Sequence, residues 1–313
     1  MIDLKEHGIP YSYIPIIAGP TASGKSDLAI NVALKVKGEI ISCDSMQIYK
    51  SLDIGTAKVT PEEQQIVKHH MIDIIEPTQN YSVNDFVHEA SRIMNELISE
   101  GILPVLCGGT GQYISTFCEG LKYVDQKIDK SVLDEINREV ETVGIDRIYD
   151  ELCKIDPIAA EKIHKNNTRR VIRAYAVYKG TGKTFTWWNQ NSRNEGPKFP
   201  FKLFCLERDR ALLYDRINLR VDKMLDAGLE EEVKRLHESH VLDGVTARQA
   251  IGYKELLDYY EGKCTREEAI YNIKLRSRHY AKRQLTWFRY MDYKIDIDPD
   301  DPKSLDLILE TIR

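Results

Sequence analysis

Apolar runs alternate with amphipathic segments over residues 13–115 of the chain. Short apolar runs predict strands in "YIPIIAG", "EIISCD", "HHMIDII" and "LPVLCGG", and helical spacing of apolar residues predicts helices over 25–36 and 83–100. Strands that alternate with helices indicate a parallel, doubly wound sheet that is covered on both faces. The run "KLFCLE" at 202–207 predicts one more strand of this sheet.

The pattern changes after residue 120. Residues 121–196 are charged, poor in strand signals and helical in period, and they end in the stretch "NQNSRNEGPKFP". We therefore predict a helical insertion that returns through a loop. After residue 208 helices follow one another, the longest over 266–289, and "YKIDID" predicts a short final strand. The predicted domains are a core of 1–120 and 197–313 and an insertion of 121–196.

Composition narrows the class of protein. The net charge of −5 excludes a global attraction to nucleic acid, so a polyanion must bind at local basic patches. The six cysteines form no C-x-x-C pair, which argues against zinc and disulfides and for a reducing compartment. The first residues do not resemble a signal peptide, and no apolar stretch reaches the roughly 20 residues of a membrane span. We expect a cytoplasmic protein.

A phosphate-binding motif lies in "IIAGPTASGKSDLAI", Ile16–Ile30. The spacing G-x-x-x-x-G-K-[ST] between a strand and a helix predicts a P-loop, whose backbone N–H groups surround a phosphate. Lys25 would reach the outer phosphate oxygens and the Ser26 hydroxyl would bind Mg²⁺. A chance glycine turn is the alternative. The candidate phosphate-binding residues are Gly19, Pro20, Thr21, Ala22, Ser23, Gly24, Lys25 and Ser26.

Two further stretches follow predicted strands. In "ISCDSMQIYK" the strand is predicted to end at Cys43, which places Asp44 at the carboxyl edge of the sheet, where ligands bind. Asp44 can hold Mg²⁺ through water or act as a general base, although a helix N-cap is the alternative. Cys43 is expected to be a buried strand residue. The stretch "LCGGTGQYI" contains Thr110 in a second glycine loop, for which a tight structural turn is an equal explanation.

Basic residues form two acid-free segments, "KIHKNNTRRVIR" at 162–173 and the aromatic-rich "KLRSRHYAKRQLTWFRY" at 274–290. Such segments favour a phosphate backbone with unstacked bases, although most charged helix faces are merely solvated. Arg216 and Arg220 lie four apart on one helix face and either clamp phosphate or pair with neighbouring aspartates. His69 and His70 are interpreted as structural polar contacts, and the "WW" pair at 187–188 as packing residues.

Together these stretches resemble the tRNA dimethylallyltransferases, also called tRNA isopentenyltransferases. The matching pieces run in family order from about residue 16 to 290 and are "GPTASGKS", "DSMQIYKSLDIGTAK", "HHMID", "YSVNDF", "GGTG", "RRVIRA", "RVDKML", "RQAIGYKEL" and "YAKRQLTWFR". The resemblance implies an α/β fold with a P-loop NTPase-like, nucleotide-kinase-like core and an inserted all-helical domain that grips the tRNA anticodon stem-loop. It also implies Mg²⁺, and a P-loop that holds the pyrophosphate of dimethylallyl diphosphate without consuming ATP. The implied reaction prenylates the exocyclic N6 amine of adenosine 37.

Site residues are carried over from the resemblance position by position. Asp44 would be the base that acts on adenine, Thr110 would lie near the target nucleotide, and Arg220 would bind the leaving pyrophosphate together with Lys25. The implied tRNA contacts are Asp44, Ser45, Met46, Gln47, Thr110, Asn167, Arg169, Arg170, Arg248, Gln249, Gly252, Tyr253, Lys282, Arg283, Gln284 and Trp287. Ser26 would bind the metal, and we expect a monomer that binds tRNA and dimethylallyl diphosphate and no membrane.

Two other functions fit the P-loop. An ATP-dependent small-molecule or nucleotide kinase leaves the acid-free, aromatic-rich segments unexplained. A non-enzymatic RNA-binding ATPase leaves Asp44 and the second glycine loop without a task.

Overall fold

A six-stranded parallel sheet forms the centre of the fold. The structure is a computed structural model that describes residues 1–120, 128–191, 196–243 and 246–313. The strand order is β3-β2-β4-β1-β5-β6, and all neighbours are parallel. The strands are β1 Ile14–Ala18, β2 Glu39–Ser42, β3 His69–His70, β4 Pro104–Gly108, β5 Phe201–Leu206 and β6 Lys294–Ile297.

Helices occupy most of the remaining described chain. In chain order they are α1 Lys25–Val36, α2 Pro61–Ile66, α3 Val83–Ser99, α4 Gly111–Glu119, α5 Lys130–Val143, α6 Ile145–Ile155, α7 Pro157–Lys162, α8 Thr168–Thr181, α9 Phe185–Asn191, α10 Arg210–Asp226, α11 Leu229–Glu238, α12 Tyr253–Tyr260, α13 Arg266–Arg289 and α14 Ser304–Ile312. None of the helices in the described ranges combines the length and the apolar character needed to cross a membrane.

Local signals account for several helix starts. Thr265 accepts a hydrogen bond from the backbone N–H of Glu268, whose carboxylate accepts one from the N–H of Thr265, and this capping box begins α13. Ser82 and Asp85 make the same pair of bonds at the start of α3. The predicted helix over 25–36 coincides with α1, and the predicted helix over 266–289 coincides with α13.

The sheet confirms the predicted fold class, with two corrections at strand ends. The predicted strand "HHMIDII" contains only the two residues of β3, because Met71 and Asp73 have positive φ angles of 63° and 55°, which extended backbone does not adopt. The strand predicted to end at Cys43 ends one residue earlier. All five residues of β1 are buried, as expected of a parallel sheet covered on both faces.

Contacts divide the chain into two compact units. The first comprises Met1–Cys118 and Lys198–Arg313 and contains the whole sheet. Its largest apolar core includes Ile16, Ile41 and Leu106 from neighbouring strands. This unit carries the cavity described below.

The second unit, Glu119–Pro197, is helical in its described residues and has its own apolar core, which includes Ile148, Leu152 and Val171. Its buried Asp156 accepts hydrogen bonds from the backbone of Ala159 and from both the N–H and the hydroxyl of Thr186. The predicted start of the insertion at 121 and part of the predicted return loop, residues 192–195, lie outside the described residues.

Candidate active site

A cavity of about 310 Å³ lies in the first unit, at the carboxyl ends of β1, β2 and β4. This is the edge of a parallel sheet at which α/β proteins bind ligands. It brings together predicted residues from five separate parts of the chain. The predicted site residues that line it are Thr21, Lys25, Ser26, Asp44, Ser45, Met46, Gln47, Arg220, Gln249, Gly252, Arg283 and Gln284.

The P-loop connects β1 to α1. Gly24 has a φ of 96°, a left-handed conformation that glycine adopts without a Cβ clash, and the helix begins at the next residue. Backbone N–H groups in the first turn of a helix have no partner within that helix, so they are available to an anion. The loop therefore has the local geometry that the motif predicts.

Three arginines contact the P-loop from outside its motif. Arg208 donates from Nε to the carbonyl of Ser23 at 2.8 Å, and Arg216 donates from Nε to the carbonyl of Ala22 at 3.0 Å. Arg220 donates to the hydroxyl of Thr21 at 3.0 Å. Both members of the Arg216–Arg220 pair thus lie at the P-loop, and their predicted binding of phosphate stays a prediction. Asp222, one of the alternative partners, forms an ion pair with Lys274.

Two partly buried cations face the cavity beside the loop. Burial lowers the pKa of Lys25, and the neighbouring charge of Arg220 lowers it further. Burial also lowers the pKa of Arg220, while the charge of Asp44 raises it. Two neighbouring positive groups that repel each other are stabilised by an anion placed between them. The positive charge of the site therefore favours the binding of a phosphate or diphosphate.

Asp44 lies two residues after the end of β2 and lines the same cavity. Its Oδ1 accepts a hydrogen bond from the backbone N–H of Met46 at 2.8 Å, which closes a turn. No helix begins here, so the alternative of a helix N-cap does not hold. The preceding Cys43 is buried, and burial raises the pKa of its thiol well above the ordinary value, as expected for an inert strand-end residue.

Thr110 joins the second glycine loop to the loop that contains Asp44. Its hydroxyl accepts a hydrogen bond from the N–H of Ser45 at 3.0 Å, and its own N–H donates to the carbonyl of Cys43 at 3.2 Å. The two loops therefore form one hydrogen-bonded edge of the site.

The predicted tRNA contacts of the first unit that follow α11 differ from one another in burial and in bonding partners. Tyr253 is buried, and its hydroxyl donates to Glu232 at 2.5 Å. Arg248 forms an ion pair with Glu261. Gln284 is buried and bonded at both ends of its amide to backbone groups. Lys282 and Trp287 are exposed on α13.

In the second unit, Asn167 accepts a hydrogen bond from the N–H of Arg170 and caps α8. Arg169 and Arg170 are exposed, and no ion pair of either is found among the described residues. Their exposure makes both guanidinium groups accessible to solvent.

Sequence reasoning missed several residues of the cavity. Ile217, Val221 and Met224 on α10 form an apolar wall next to Arg220, and Gly55–Ala57 contribute a second wall. The apolar residues of α10 have the helical spacing of ordinary core residues, so their spacing does not indicate that they line a cavity. Tyr280 on α13 lines the cavity, and the only sequence signal for it was its place in the aromatic-rich basic segment.

Few protein groups in the cavity are available to a metal. Among the described residues there is no cluster of three or more His, Cys, Asp or Glu side chains that suits a metal ion. The Ser26 hydroxyl and the Asp44 carboxylate both line the cavity and are oxygen donors of the kind that Mg²⁺ prefers. Mg²⁺ is commonly held by one or two such groups together with substrate phosphates, so this donor set fits it.

Comparisons with known proteins agree with one another. The sequence model of the family described as IPP transferase matches residues 47–291. The tRNA dimethylallyltransferase of Carboxydothermus hydrogenoformans is 48% identical over 95% of both chains, and that of Acetivibrio thermocellus is 43% identical over 95% of both.

Solved structures show the same similarity. The full-length tRNA isopentenylpyrophosphate transferase of Bacillus halodurans has a TM-score of 0.71 at 40% identity, covering 96% of this chain and 95% of that one. A eukaryotic dimethylallyltransferase acting on tRNA has a TM-score of 0.78 at 30% identity, covering 96% of this chain and 77% of that one.

Proposed function

The chain belongs to the IPP transferase family, and we propose that it transfers a dimethylallyl group from dimethylallyl diphosphate to the exocyclic N6 amine of adenosine 37 in tRNA. The products are N6-(dimethylallyl)adenosine and diphosphate. The observation that carries the proposal is one cavity that combines a cationic loop, an apolar wall and a single carboxylate. A diphosphate, a prenyl chain and a proton donor are the three groups that such a site accommodates.

The cationic part of the cavity serves the leaving group. As the allylic carbon–oxygen bond breaks, negative charge develops on the departing diphosphate. The backbone N–H groups at the start of α1, the ammonium of Lys25 and the guanidinium of Arg220 would lie beside that charge. Preorganised donors of this kind lower the barrier because they need little reorganisation during the reaction.

Mg²⁺ is the proposed cofactor, held by the Ser26 hydroxyl, by Asp44 through water, and by diphosphate oxygens. Bound there, it would supply further positive charge to the leaving group. The chain's own contribution is to place these two oxygen donors beside the loop.

Asp44 is the proposed base. The N6 amine of adenine is a weak nucleophile, and its proton becomes acidic only as the new carbon–nitrogen bond forms. A carboxylate that faces the cavity can take that proton at this stage. The adenine must leave the stack of the anticodon loop to reach it, as in other enzymes that act on bases. Ser45, Met46 and Gln47 would line the path of the adenine. Thr110 would hold the loop that contains Asp44 in place through its hydrogen bond with Ser45.

The tRNA interface is proposed on exposed cations and aromatic side chains. In the first unit these are Lys282, Arg283 and Trp287 on α13, with Arg248, Gln249 and Gly252 supplying the neighbouring segment. The side chain of Tyr253, also predicted as a tRNA contact, is buried and bonded to Glu232, so it is not part of the proposed interface. In the second unit, Asn167 presents Arg169 and Arg170 at the start of α8 for the anticodon stem-loop. We expect the enzyme to act on tRNA in the cytoplasm as a monomer.

One assay tests the proposed function. The enzyme is incubated with unmodified tRNA, Mg²⁺ and labelled dimethylallyl diphosphate, without ATP, and label in tRNA is measured. We expect transfer by the wild-type enzyme and none by Lys25→Ala, which should still bind tRNA because the proposed RNA contacts lie elsewhere. Transfer by Lys25→Ala at a near wild-type rate would contradict the P-loop assignment. The kinase alternative would be favoured if the wild type transfers no label and, in a separate assay that contains ATP and an acceptor nucleotide, consumes ATP.

A further inference from the structure

Gln284 on α13 lies between two loops of the active site. Its side chain is 5% exposed, and its Oε1 accepts a hydrogen bond from the backbone N–H of Thr21 at 2.9 Å. Its Nε2 donates to the carbonyl of Gly109 at 2.9 Å. One side chain thus joins the P-loop that follows β1 to the glycine loop that follows β4.

The Gln284 amide fits its site in one orientation only, and the space beside it allows only a glycine at position 109. Thr21 offers a donor and Gly109 offers an acceptor, so the oxygen and the nitrogen of the amide have only one arrangement that satisfies both. A Cβ atom on Gly109 would lie 2.2 Å from Nε2, so the close approach requires glycine at this position. About one turn further along α13, Trp287 also packs closely on a glycine, Gly111, where a Cβ would lie 2.5 Å from the indole ring.

The hydrogen bonds continue from Gly109 to the carboxylate. Thr110, the next residue, bonds to the backbone of both Cys43 and Ser45, which flank Asp44. A continuous path therefore connects Thr21 to Asp44 through Gln284 and the loop of residues 109–110. Its two ends are the loop proposed to hold the diphosphate and the residue proposed to accept the proton.

We propose that Gln284 is a positioning residue, which holds the diphosphate loop at a fixed distance from the loops that receive the adenine. The proposal rests on the proposed function for the identity of the two substrates. It gives Gln284 a role different from the tRNA contact that the family resemblance implied, because both ends of the buried amide are engaged by backbone groups.

This role predicts where a loss of function should fall. Bond formation requires the reacting carbon and nitrogen to lie about 3–3.5 Å apart with aligned orbitals, and a shift of about 1 Å can cost about 100-fold in rate. Each loop can still bind its own substrate when the link is removed. The loss should therefore appear in the rate with both substrates bound and not in the affinity for either one.

The experiment uses the full chain and three variants. Gln284→Met keeps the length of the side chain and removes both hydrogen bonds, Gln284→Glu keeps the acceptor only, and Gln79→Met removes an exposed glutamine as a control. Single-turnover transfer is measured at saturating dimethylallyl diphosphate and tRNA, and the dissociation constants of tRNA and of inorganic pyrophosphate are measured separately. For Gln284→Met we expect a rate about 10–100-fold lower and both dissociation constants near those of the wild type.

Gln284→Glu adds a pH dependence that loss of packing does not produce. The ionised carboxylate still accepts from Thr21 but repels the carbonyl of Gly109, whereas the protonated form regains a donor. Burial next to a carbonyl raises the pKa of the new carboxyl group. The rate of Gln284→Glu relative to wild type should therefore rise as the pH is lowered, while the relative rate of Gln284→Met should stay constant.

Several results would overturn the proposal. A wild-type rate at saturation with weakened tRNA binding would identify Gln284 as a tRNA contact. A wild-type rate and affinity in both variants would show that the link has no role. If Gln284→Met does not fold, a Gln284→Glu enzyme that folds and shows no recovery at low pH would refute it. A wild-type chain that transfers no prenyl group, in an assay where it binds tRNA, would refute the proposed function and this inference together.

Discussion

Asp44 and Lys25 occupy one cavity and differ in the charge that each contributes. Asp44 accepts a hydrogen bond from the backbone N–H of Met46, while Lys25 is partly buried next to a second cation. The first arrangement suits a group that accepts a proton from a substrate. The second suits a group that needs an anion to be stable. The two side chains therefore predict different effects on catalysis and on binding.

The substitution Asp44→Asn tests the base. Asparagine keeps the shape and accepts the same hydrogen bond from Met46 but does not take a proton. We expect turnover to fall by about 10²–10⁴-fold, the usual contribution of general acid–base catalysis, with little change in tRNA affinity. The matched control is Asp301→Asn, because Asp301 accepts a hydrogen bond from the N–H two residues ahead in the same way but lies away from the cavity.

Varying the Mg²⁺ concentration distinguishes the two roles proposed for Asp44, a general base and a holder of the metal. If the carboxylate mainly organises the metal, raising the Mg²⁺ concentration should restore part of the activity of Asp44→Asn. A turnover loss that the metal does not restore supports the base. A fully active Asp44→Asn enzyme would end the base hypothesis.

The ionisation of Lys25 predicts a pH dependence for the donor. Its pKa lies below the ordinary lysine value because of burial and the charge of Arg220. Raising the pH removes the ammonium proton before an exposed lysine would lose its own, and the diphosphate then loses one cationic partner. We expect the KM for dimethylallyl diphosphate to rise with pH, starting below the ordinary lysine pKa of about 10.4, and kcat to change less.

Lys25→Arg is the control for this pH dependence, since a guanidinium stays charged across the range. Its KM for the donor should lack the alkaline rise, whatever its absolute value. An identical alkaline rise in both enzymes would assign the dependence to another group.

At the scale of secondary-structure elements, the segment 53–55 is attached to α11 through one buried carboxylate. Glu232 accepts hydrogen bonds from the backbone N–H groups of Asp53, Ile54 and Gly55 at 3.2, 2.9 and 3.2 Å, and from the hydroxyl of Tyr253. Gly55 packs on the Tyr253 ring, where a Cβ would lie 2.3 Å from Cε2. This carboxylate fixes a segment that forms part of the cavity wall.

Glu232→Gln should therefore destabilise the first unit. A carboxamide replaces one acceptor oxygen by a donor that faces N–H or O–H groups, which leaves buried groups unpaired. We expect the free energy of unfolding in urea to fall by about 1–3 kcal/mol, the cost of an unsatisfied buried polar group. Glu231→Gln, which changes an exposed neighbour on the same helix, should stay within about 0.5 kcal/mol of wild type. Equal stability of the two variants would contradict the anchoring role.

The whole molecule is acidic, yet its proposed substrate is a polyanion. The net charge is −5, so binding must depend on local cations rather than on the overall field. Among the candidate cations, Arg169, Arg170, Lys282 and Arg283 are exposed. By contrast, Arg92 is paired with both Glu89 and Glu96 on α3.

Salt dependence tests this distribution of charge. If roughly six or more phosphates are neutralised, affinity for tRNA should fall by orders of magnitude between about 50 and 200 mM salt, because bound counterions are released. Arg170→Gln and Arg283→Gln should each lower the slope of log K against log salt by about 1. Arg92→Gln is the control and should leave the slope unchanged. A salt-independent affinity would refute the proposed interface.

Local sequence determined the secondary structure of several elements and the phosphate-binding motif of this protein. The P-loop spacing, the alternation of strands and helices, and the bounds of α1 and α13 follow from patterns within about 25 residues, because backbone conformation and capping are local. The position of Asp44 at the carboxyl edge of the sheet was also predictable, since it follows a buried strand. The family resemblance added the substrates, and the comparisons agree with it.

Tertiary structure decided which side chains hold these pieces together. Gln284 meets Thr21 across 263 positions of the chain, and Glu232 meets Ile54 across 178. Arg208 and Arg216 reach the P-loop carbonyls over similar separations. Gln284, Glu232 and Arg216 are polar side chains on helices, a pattern that by itself indicates only a solvated face, and Arg208 lies in the loop before α10. A hydrogen bond between positions so far apart leaves no periodic trace in the sequence, so only the folded structure shows which groups these side chains meet.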